Sequence, residues 1–207
     1  MTARERVESD MKIIYFITHP EVIIDPKVPV PHWPLSERGF VRMRRLLQQP
    51  WVPEITSIYC STEQKAIDGA SVLAEHLLLP VQRVAALGEN DRSSTGFLPP
   101  VEFEAVVEQF FAYPHESVRG WETAAAAQRR IVGAVTTVIK GDTSPGAIAI
   151  VSHGGVGTLL LCHLANYPIA RSHDQPGSGG GNYYAFQAAS KALLYGWKAI
   201  DEIERAT

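Results

Sequence analysis

The chain predicts an α/β domain, a three-layer sandwich with a mostly parallel central sheet and helices on both faces. Three observations lead there. Short β-branched and apolar runs alternate with segments of helical periodicity, the pattern of strands crossing over through helices. The most apolar run, residues 147–151 (AIAIV), shows no polar alternation and reads as a strand covered on both faces, as in the interior of a parallel sheet. Three strands run straight into polar residues, Thr18-His19, Ser61-Thr62 and Ser152-His153. In open α/β sheets the ligand crevice lies beyond such carboxyl ends.

Taken in order, residues 1–10 form a polar N-terminal arm, with Met11 a second candidate start, and residues 11–207 a single domain. Residues 12–18 (KIIYFIT) read as a buried strand, and 32–34 as a loop. Ser36 is a candidate N-cap for a helix with Phe40, Met43, Leu46 and Leu47 on one face, stopped by Pro50 and Pro53. A strand at 57–60 enters S-T-E-Q, where Ser61 and Gln64 have the form of a capping box. The helix it opens carries Ala66, Ala70, Leu73 and Leu77 and runs up to Pro80. Residues 81–87 are a third strand candidate, and 88–100 (GENDRSSTGFLPP) a loop rich in breakers. A stripe of Phe103, Val106, Val107, Phe110 and Phe111 marks the next helix. Residues 122–140 form a long amphipathic helix ended by Gly141, and the AIAIV strand leads into a helix with Val156, Leu159, Leu160 and Leu164. A glycine loop, 176–182, precedes two strands, 183–187 and 193–198, that read as a terminal hairpin.

Bulk properties set limits on function. With 207 residues, 45% of them apolar and 20% charged, the chain has the makings of one self-sufficient core. A net charge of -3 with both signs scattered argues against general affinity for nucleic acid or membrane surfaces. The densest basic cluster, Arg38, Arg42, Arg44 and Arg45, is read as a solvated helix face. Cys60 and Cys162 lie in apolar runs and form no metal-type pair, so buried thiols in a reducing, cytoplasmic setting are expected. The start has no apolar stretch of a signal peptide, and no window approaches 18 uninterrupted apolar residues.

Two of the three polar strand ends pass directly into helix amino ends, where free N–H groups and the helix dipole favour an anion. Gly154 and Gly155 would let an oxyanion come close to the backbone. The sequence therefore predicts an anion pocket holding two imidazoles, those of His19 and His153. A P-loop is excluded because SHGGVGT lacks G-x-x-x-x-G-K-S/T, and a zinc hydrolase because no H-E-x-x-H occurs. His163, on the apolar face of its helix, is expected to be a core residue; His32, His76, His115 and His173 are read as loop or surface residues.

These segments resemble the histidine phosphatase superfamily, the phosphoglycerate-mutase-like branch-one family. The family's strand-Arg-His-Gly opening corresponds to FITHP (Phe16–Pro20), its Leu-Thr/Ser-x-x-Gly helix start to LSERG (Leu35–Gly39), and its Ser-Ser/Thr-x-x-Arg/Lys-Ala segment to STEQKA (Ser61–Ala66). The acidic loop corresponds to LGE (Leu87–Glu89) and the Ser-His-Gly-Gly turn to Ser152–Gly155. The matches keep the family's order over nearly the whole chain.

The resemblance implies that His19 attacks phosphorus and carries a transient phosphoryl group. It implies that Glu89 protonates the leaving oxygen and then activates water, a duty suited to a carboxyl lifted toward neutrality. His153 and Lys65 would bind phosphoryl oxygens, with Ser61, Thr62, Gly154 and Thr18 as further phosphate-binding candidates. No metal or cofactor is required. Departures from the pattern are Thr18 and Lys65, where arginines are expected, and Pro20, which replaces a glycine and removes an N–H donor. Asp25, where many members carry asparagine, is an accessory candidate that brings negative charge. Arg92 and Arg171 are candidates to supply the missing positive charge, and Thr18→Arg is expected to tighten anion binding if its side chain reaches the pocket.

The functional expectation is a phosphomonoesterase acting through phospho-His19, weakened by the missing arginine. The alternatives are a catalytically impaired relative that binds a phosphorylated or anionic ligand and, third, a phosphomutase. The expected partner is a small phosphorylated molecule or a phosphoprotein, with neither nucleic acid nor membrane; a homodimer is left open.

Overall fold

A computed structural model describes residues 12–203. The polar arm expected at 1–10 lies outside the described residues. Six strands form one sheet: β1 (Ile13–Thr18), β2 (Ile55–Cys60), β3 (Val81–Arg83), β4 (Ala147–Ser152), β5 (Asn182–Gln187) and β6 (Leu193–Ala199), in the order β3-β2-β4-β1-β5-β6. The contacts β3–β2, β2–β4 and β4–β1 are parallel, whereas β1–β5 and β5–β6 are antiparallel. Five α-helices cover it: α1 (Glu37–Leu46), α2 (Gln64–Leu77), α3 (Pro100–Ala112), α4 (Ala124–Gly141) and α5 (Gly154–Leu164). Among the described residues, no helix is long and apolar enough to cross a membrane.

The period-2 geometry of the strands sorts side chains into two cores. Ile14 and Phe16 of β1 join Ile148 and Ile150 of β4 beneath α3, α4 and α5. Tyr15 and Ile17 join Ala147, Ala149 and Val151 on the opposite face, beneath α1 and α2. Every residue of β4 is buried, as expected of a central parallel strand. Both cysteines are buried and free.

The helix ends show where local sequence decides and where the site overrides it. Ser36 caps α1 as expected, its Oγ accepting from Gly39 N at 3.1 Å. Gly39 is required by a close approach, since a Cβ there would lie 2.3 Å from the Glu21 carbonyl oxygen. The capping box expected at Ser61 and Gln64 does not form; α2 begins at Gln64 after Glu63, and no side chain caps it. The third strand is three residues long rather than seven, because residues 85–87 coil into a 3₁₀ turn. Two contacts hold that turn away from the sheet edge: the Ala86 carbonyl accepts from Arg130 Nη1 at 2.9 Å, and the Leu87 carbonyl from Ser152 Oγ at 2.7 Å. His163 is exposed rather than in the core, because the buried face of α5 is Val156–Cys162.

Candidate active site

The register of the parallel strands builds the site. Thr18 pairs with Ser152 across β1 and β4, and Cys60 with Val151 across β2 and β4. The ladder then continues one step beyond the strands, with His19 N donating to Ser152 O at 3.0 Å and Ser61 N to Val151 O at 3.1 Å. Three segments far apart in sequence therefore leave the sheet side by side, and the rings of His19 and His153 meet edge to face, centroids 5.2 Å apart. A cavity of about 260 Å³ opens over His19, Glu89, Gly154 and Gly155, with Phe103 and Phe110 on its far wall. A larger one, about 670 Å³, adjoins it across Glu89, Asn90 and Arg92 and reaches Thr62 and Glu63.

His19 Nδ1 lies 2.8 Å from the Pro20 carbonyl oxygen. A carbonyl only accepts, so Nδ1 carries the proton and Nε2 keeps a lone pair. Burial pushes the His19 pKa down to about 4, and the charge of Lys65 pushes the same way; the Pro20 carbonyl and Glu63 oppose them. The ring is nevertheless not sealed off, since one edge lines the cavity.

His153 is fully buried, with Nε2 2.7 Å from Ser61 Oγ and 3.3 Å from Glu63 Oε1. Burial lowers its pKa well below the usual imidazole value, against the pull of Glu63. Ser61 Oγ already accepts from Glu63 N at 3.2 Å, so its own proton is available to His153 Nε2. Nε2 faces both that hydroxyl and the Glu63 carboxylate, and Nδ1 has no partner among the described residues.

Lys65 is buried, with Nζ donating to Val30 O at 3.0 Å and to Glu63 Oε2 at 2.5 Å. Glu63 also accepts from Glu89 N at 2.8 Å, through Oε1. Burial works against its charge, yet His153, Lys65 and that backbone donor outweigh it and hold the carboxyl at about 2. The lysine in the phosphate-binding segment thus arrives already paired.

Glu89 reaches the amino end of α5, accepting from Gly155 N at 3.1 Å (Oε2) and Val156 N at 3.0 Å (Oε1). The anion position expected at this helix end is therefore filled by a carboxylate of the chain itself, where free N–H groups favour negative charge. Gly155 is needed here, because a Cβ would stand 2.7 Å from Glu89 Oε1. Behind Glu89, Arg130 donates to the carbonyls of Ala86, Gly88 and Glu89 and to both carboxylate oxygens of Glu122.

The remaining candidates are placed as follows. Arg92 lines both cavities, its guanidinium 5.0 Å from the Phe103 ring centroid. Arg171 is held by ion pairs to Glu104 and Glu108 at the cavity rim. Thr62 is exposed and lines only the larger cavity of these two. Asp25 stands away from both, exposed, its carboxylate closing a turn on Lys27 N at 2.9 Å. Thr18 is buried and points away from a phosphate role: its hydroxyl donates toward Gln175 Oε1 (2.7 Å) and Asn182 O (3.1 Å) and accepts from Asn182 N (2.9 Å). Among the described residues, no group of three or more His, Cys, Asp and Glu side chains is arranged to hold a metal ion.

Sequence reasoning passes over Glu63, Arg130 and Gln175. Glu63 sits inside the STEQKA segment, and an acid two residues before a buried lysine was the available signal. Arg130 is one of two adjacent arginines on an amphipathic helix, and the half-buried one of the pair. Gln175 adjoins a glycine loop and carries no sequence signal.

Solved structures share the fold at low sequence identity, and two of the three that follow are named as phosphatases. Bacillus stearothermophilus YhfR matches with a TM-score of 0.73 at 20% identity, over 88% of this chain and 94% of its own. A putative alpha-ribazole-5'-P phosphatase from Escherichia coli K-12 matches with a TM-score of 0.70 at 19% identity, over 95% of this chain and 100% of its own. A mycobacterial glucosyl-3-phosphoglycerate phosphatase, solved with inorganic phosphate, matches with a TM-score of 0.68 at 18% identity, over 90% of this chain and 94% of its own. A comparison with curated proteins gives no match. The family model of the histidine phosphatase superfamily (branch 1) matches residues 27–181, which begins just beyond His19 and takes in Lys65, Glu89 and His153. By that match over most of its length, the chain belongs to the histidine phosphatase superfamily, branch 1.

Proposed function

We propose that the chain is a phosphomonoesterase working through a phosphohistidine on His19. The observation that carries this reading is the hydrogen bond from His19 Nδ1 to the Pro20 carbonyl, which leaves Nε2 unprotonated on a ring that lines a cavity shared with Glu89. Nε2 attacks phosphorus as the ester P–O bond breaks, and the departing oxygen takes a proton from the Glu89 carboxyl. Water then gives a proton back to Glu89 and attacks phosphorus, the P–N bond breaks, and inorganic phosphate and neutral His19 are regenerated. A buried His19 favours this chemistry because the imidazole stays neutral, and therefore nucleophilic, across the physiological range. The substrate class is a small phosphorylated molecule or a phosphorylated side chain small enough for a cavity of about 260 Å³.

A second reading, a non-catalytic binder of phosphorylated ligands, is favoured by one specific observation: Lys65 is neutralised by Glu63. One experiment separates the two. The protein is incubated with an aryl phosphate, quenched in alkali, and examined for an alkali-stable, acid-labile phosphoryl adduct. The enzyme reading expects a label on His19 that is lost in His19→Ala and accumulates in Glu89→Gln, because the base that activates water is gone. No adduct and no turnover across a broad panel of phosphate esters would leave the binder as the function.

A further inference from the structure

Beside His19 the cavity is lined by a side chain that no motif singles out. Gln175, between a 3₁₀ turn at Arg171–His173 and the glycine loop, shares the cavity with His19, Gly154 and Gly155. Its amide orientation is fixed by a chain of hydrogen bonds. Asn182 faces the carbonyl oxygens of Pro176 (3.2 Å) and Gly180 (3.4 Å), which only accept, so the atom presented there is Nδ2. The same Nδ2 lies 3.1 Å from Gln175, which must therefore offer its oxygen. The Thr18 hydroxyl, already accepting from Asn182 N, donates to that oxygen at 2.7 Å. With Oε1 held from two sides, Nε2 is turned to the opposite side, against Gly154, where an added Cβ would come within 2.1 Å of it. Nε2 has no acceptor among the described residues.

A second amide lies nearby. Asn90 is 94% buried by its exposure of 6%, lines the same cavity, and its Nδ2 has no hydrogen-bond partner among the described residues. A buried donor left unpaired costs on the order of 1–3 kcal/mol, and such groups are rare unless a ligand completes them. The Gln175 donor thus stands free at the cavity, with the sealed Asn90 donor beside it, in a site whose lysine is already paired.

We propose that the Gln175 Nε2 amide binds a phosphoryl oxygen in place of the guanidinium that Thr18 cannot supply, with Thr18 and Asn182 acting as positioning residues for Gln175. This rests on the phosphoryl-binding reading above. It accounts for Thr18 and Gly154 together: the first aims the amide and the second makes room for it. A neutral donor keeps geometry and gives up charge, so the site suits a phosphoryl group whose binding depends less on salt than a guanidinium clamp would.

The test is titration calorimetry of the full chain with inorganic phosphate, together with the ¹H–¹⁵N spectrum of its side-chain amides. Phosphate is expected to shift the Gln175 side-chain amide resonances. Gln175→Met, which keeps the length and loses the donor, should weaken phosphate about tenfold to a hundredfold, the effect of one hydrogen bond to a charged group. Gln175→Glu should weaken it further, and KM for an aryl phosphate should rise in parallel. Thr18→Val should show a smaller loss in the same direction, because Gln175 remains but is no longer aimed. If wild type binds phosphate and neither the amide resonances nor the Gln175→Met affinity changes, the assignment of Gln175 is wrong while the phosphatase reading stands. If wild type binds no phosphate and turns over no ester, both are wrong.

Discussion

Lowering the pH tests the state of His19 directly. Its folded pKa of about 4 lies below the ordinary 6.5 because burial, and after it the charge of Lys65, disfavours the imidazolium. The unfolded chain therefore binds this proton at a higher pH than the folded one does. Stability from this group is complete above pH about 6.5 and is lost as the pH falls from there to about 4, where both states are protonated. A gap of roughly 2.5 units at 1.36 kcal/mol each gives about 3 kcal/mol as the upper end, since one ring edge meets the cavity and its water. Two measurements read the effect. The imidazole of His19, assigned by comparison with His19→Asn, should titrate by NMR near pH 4 with its neutral form protonated on Nδ1. The pH dependence of urea unfolding between pH 7 and 4 should be shallower in His19→Asn than in wild type by up to that amount. A His19 titration near 6.5, or a neutral form protonated on Nε2, would refute the argument that burial and the Pro20 carbonyl prepare this nitrogen to attack.

Four substitutions probe the surroundings. Glu63→Gln leaves an oxygen for Glu89 N and removes the negative charge that neutralises Lys65, so phosphate affinity should rise several-fold by calorimetry, as expected from relief of repulsion at an effective dielectric near 20; a fall would show that Glu63 helps bind the anion. Gly155→Ala should cut turnover at least tenfold by displacing the Glu89 carboxylate, with the melting temperature almost unchanged because the tip of Glu89 can yield. Arg130→Ala should cost about 2–3 kcal/mol in urea unfolding, since it strips donors from three carbonyls and leaves Glu122 unpaired; a loss under about 0.5 kcal/mol would refute this role. Thr18→Arg should lower both stability and phosphate affinity, because position 18 is sealed and its hydroxyl aims Gln175; tighter phosphate binding would refute it.

The legible part of the molecule is the part that periodicity controls. The unbroken apolar runs of β4 and β1 and the Ser36 cap follow from local rules, and so does the meeting of His19 with His153, because parallel register carries strand ends to one crevice. The misreadings occur where a tertiary contact outbids a local preference. Ser61 looks like an N-cap but its hydroxyl is better used on His153 Nε2 inside the protein. Residues 84–87 have strand composition, yet Arg130 and Ser152 take their carbonyls and bend them into a turn. Thr18 reads as a vacancy in the phosphate pocket, whereas its hydroxyl is committed to Gln175 and Asn182, more than 150 positions along the chain. Glu63 and Gln175 act mainly through polar contacts to residues far along the chain, Glu63 with Glu89 and His153 and Gln175 with Thr18, which leave no periodic trace.

The electrostatic character of the site follows from counting what each positive feature already holds. Lys65 is closed by Glu63, Arg130 by Glu122 and three carbonyls, and Arg171 by Glu104 and Glu108. The amino end of α5 is closed by Glu89. Arg92 alone among these lies against an aromatic wall, with no ion pair among the described residues. A phosphoryl group that reaches the N–H groups of Gly155 and Val156 must therefore displace Glu89 from two of its three backbone donors, and on the proposed phosphohistidine reading the freed carboxyl would exchange a proton with an ester oxygen or a water. On that reading, entry of the anion and release of Glu89 would be one event, tying binding to catalysis in a way that a pocket of fixed cations does not.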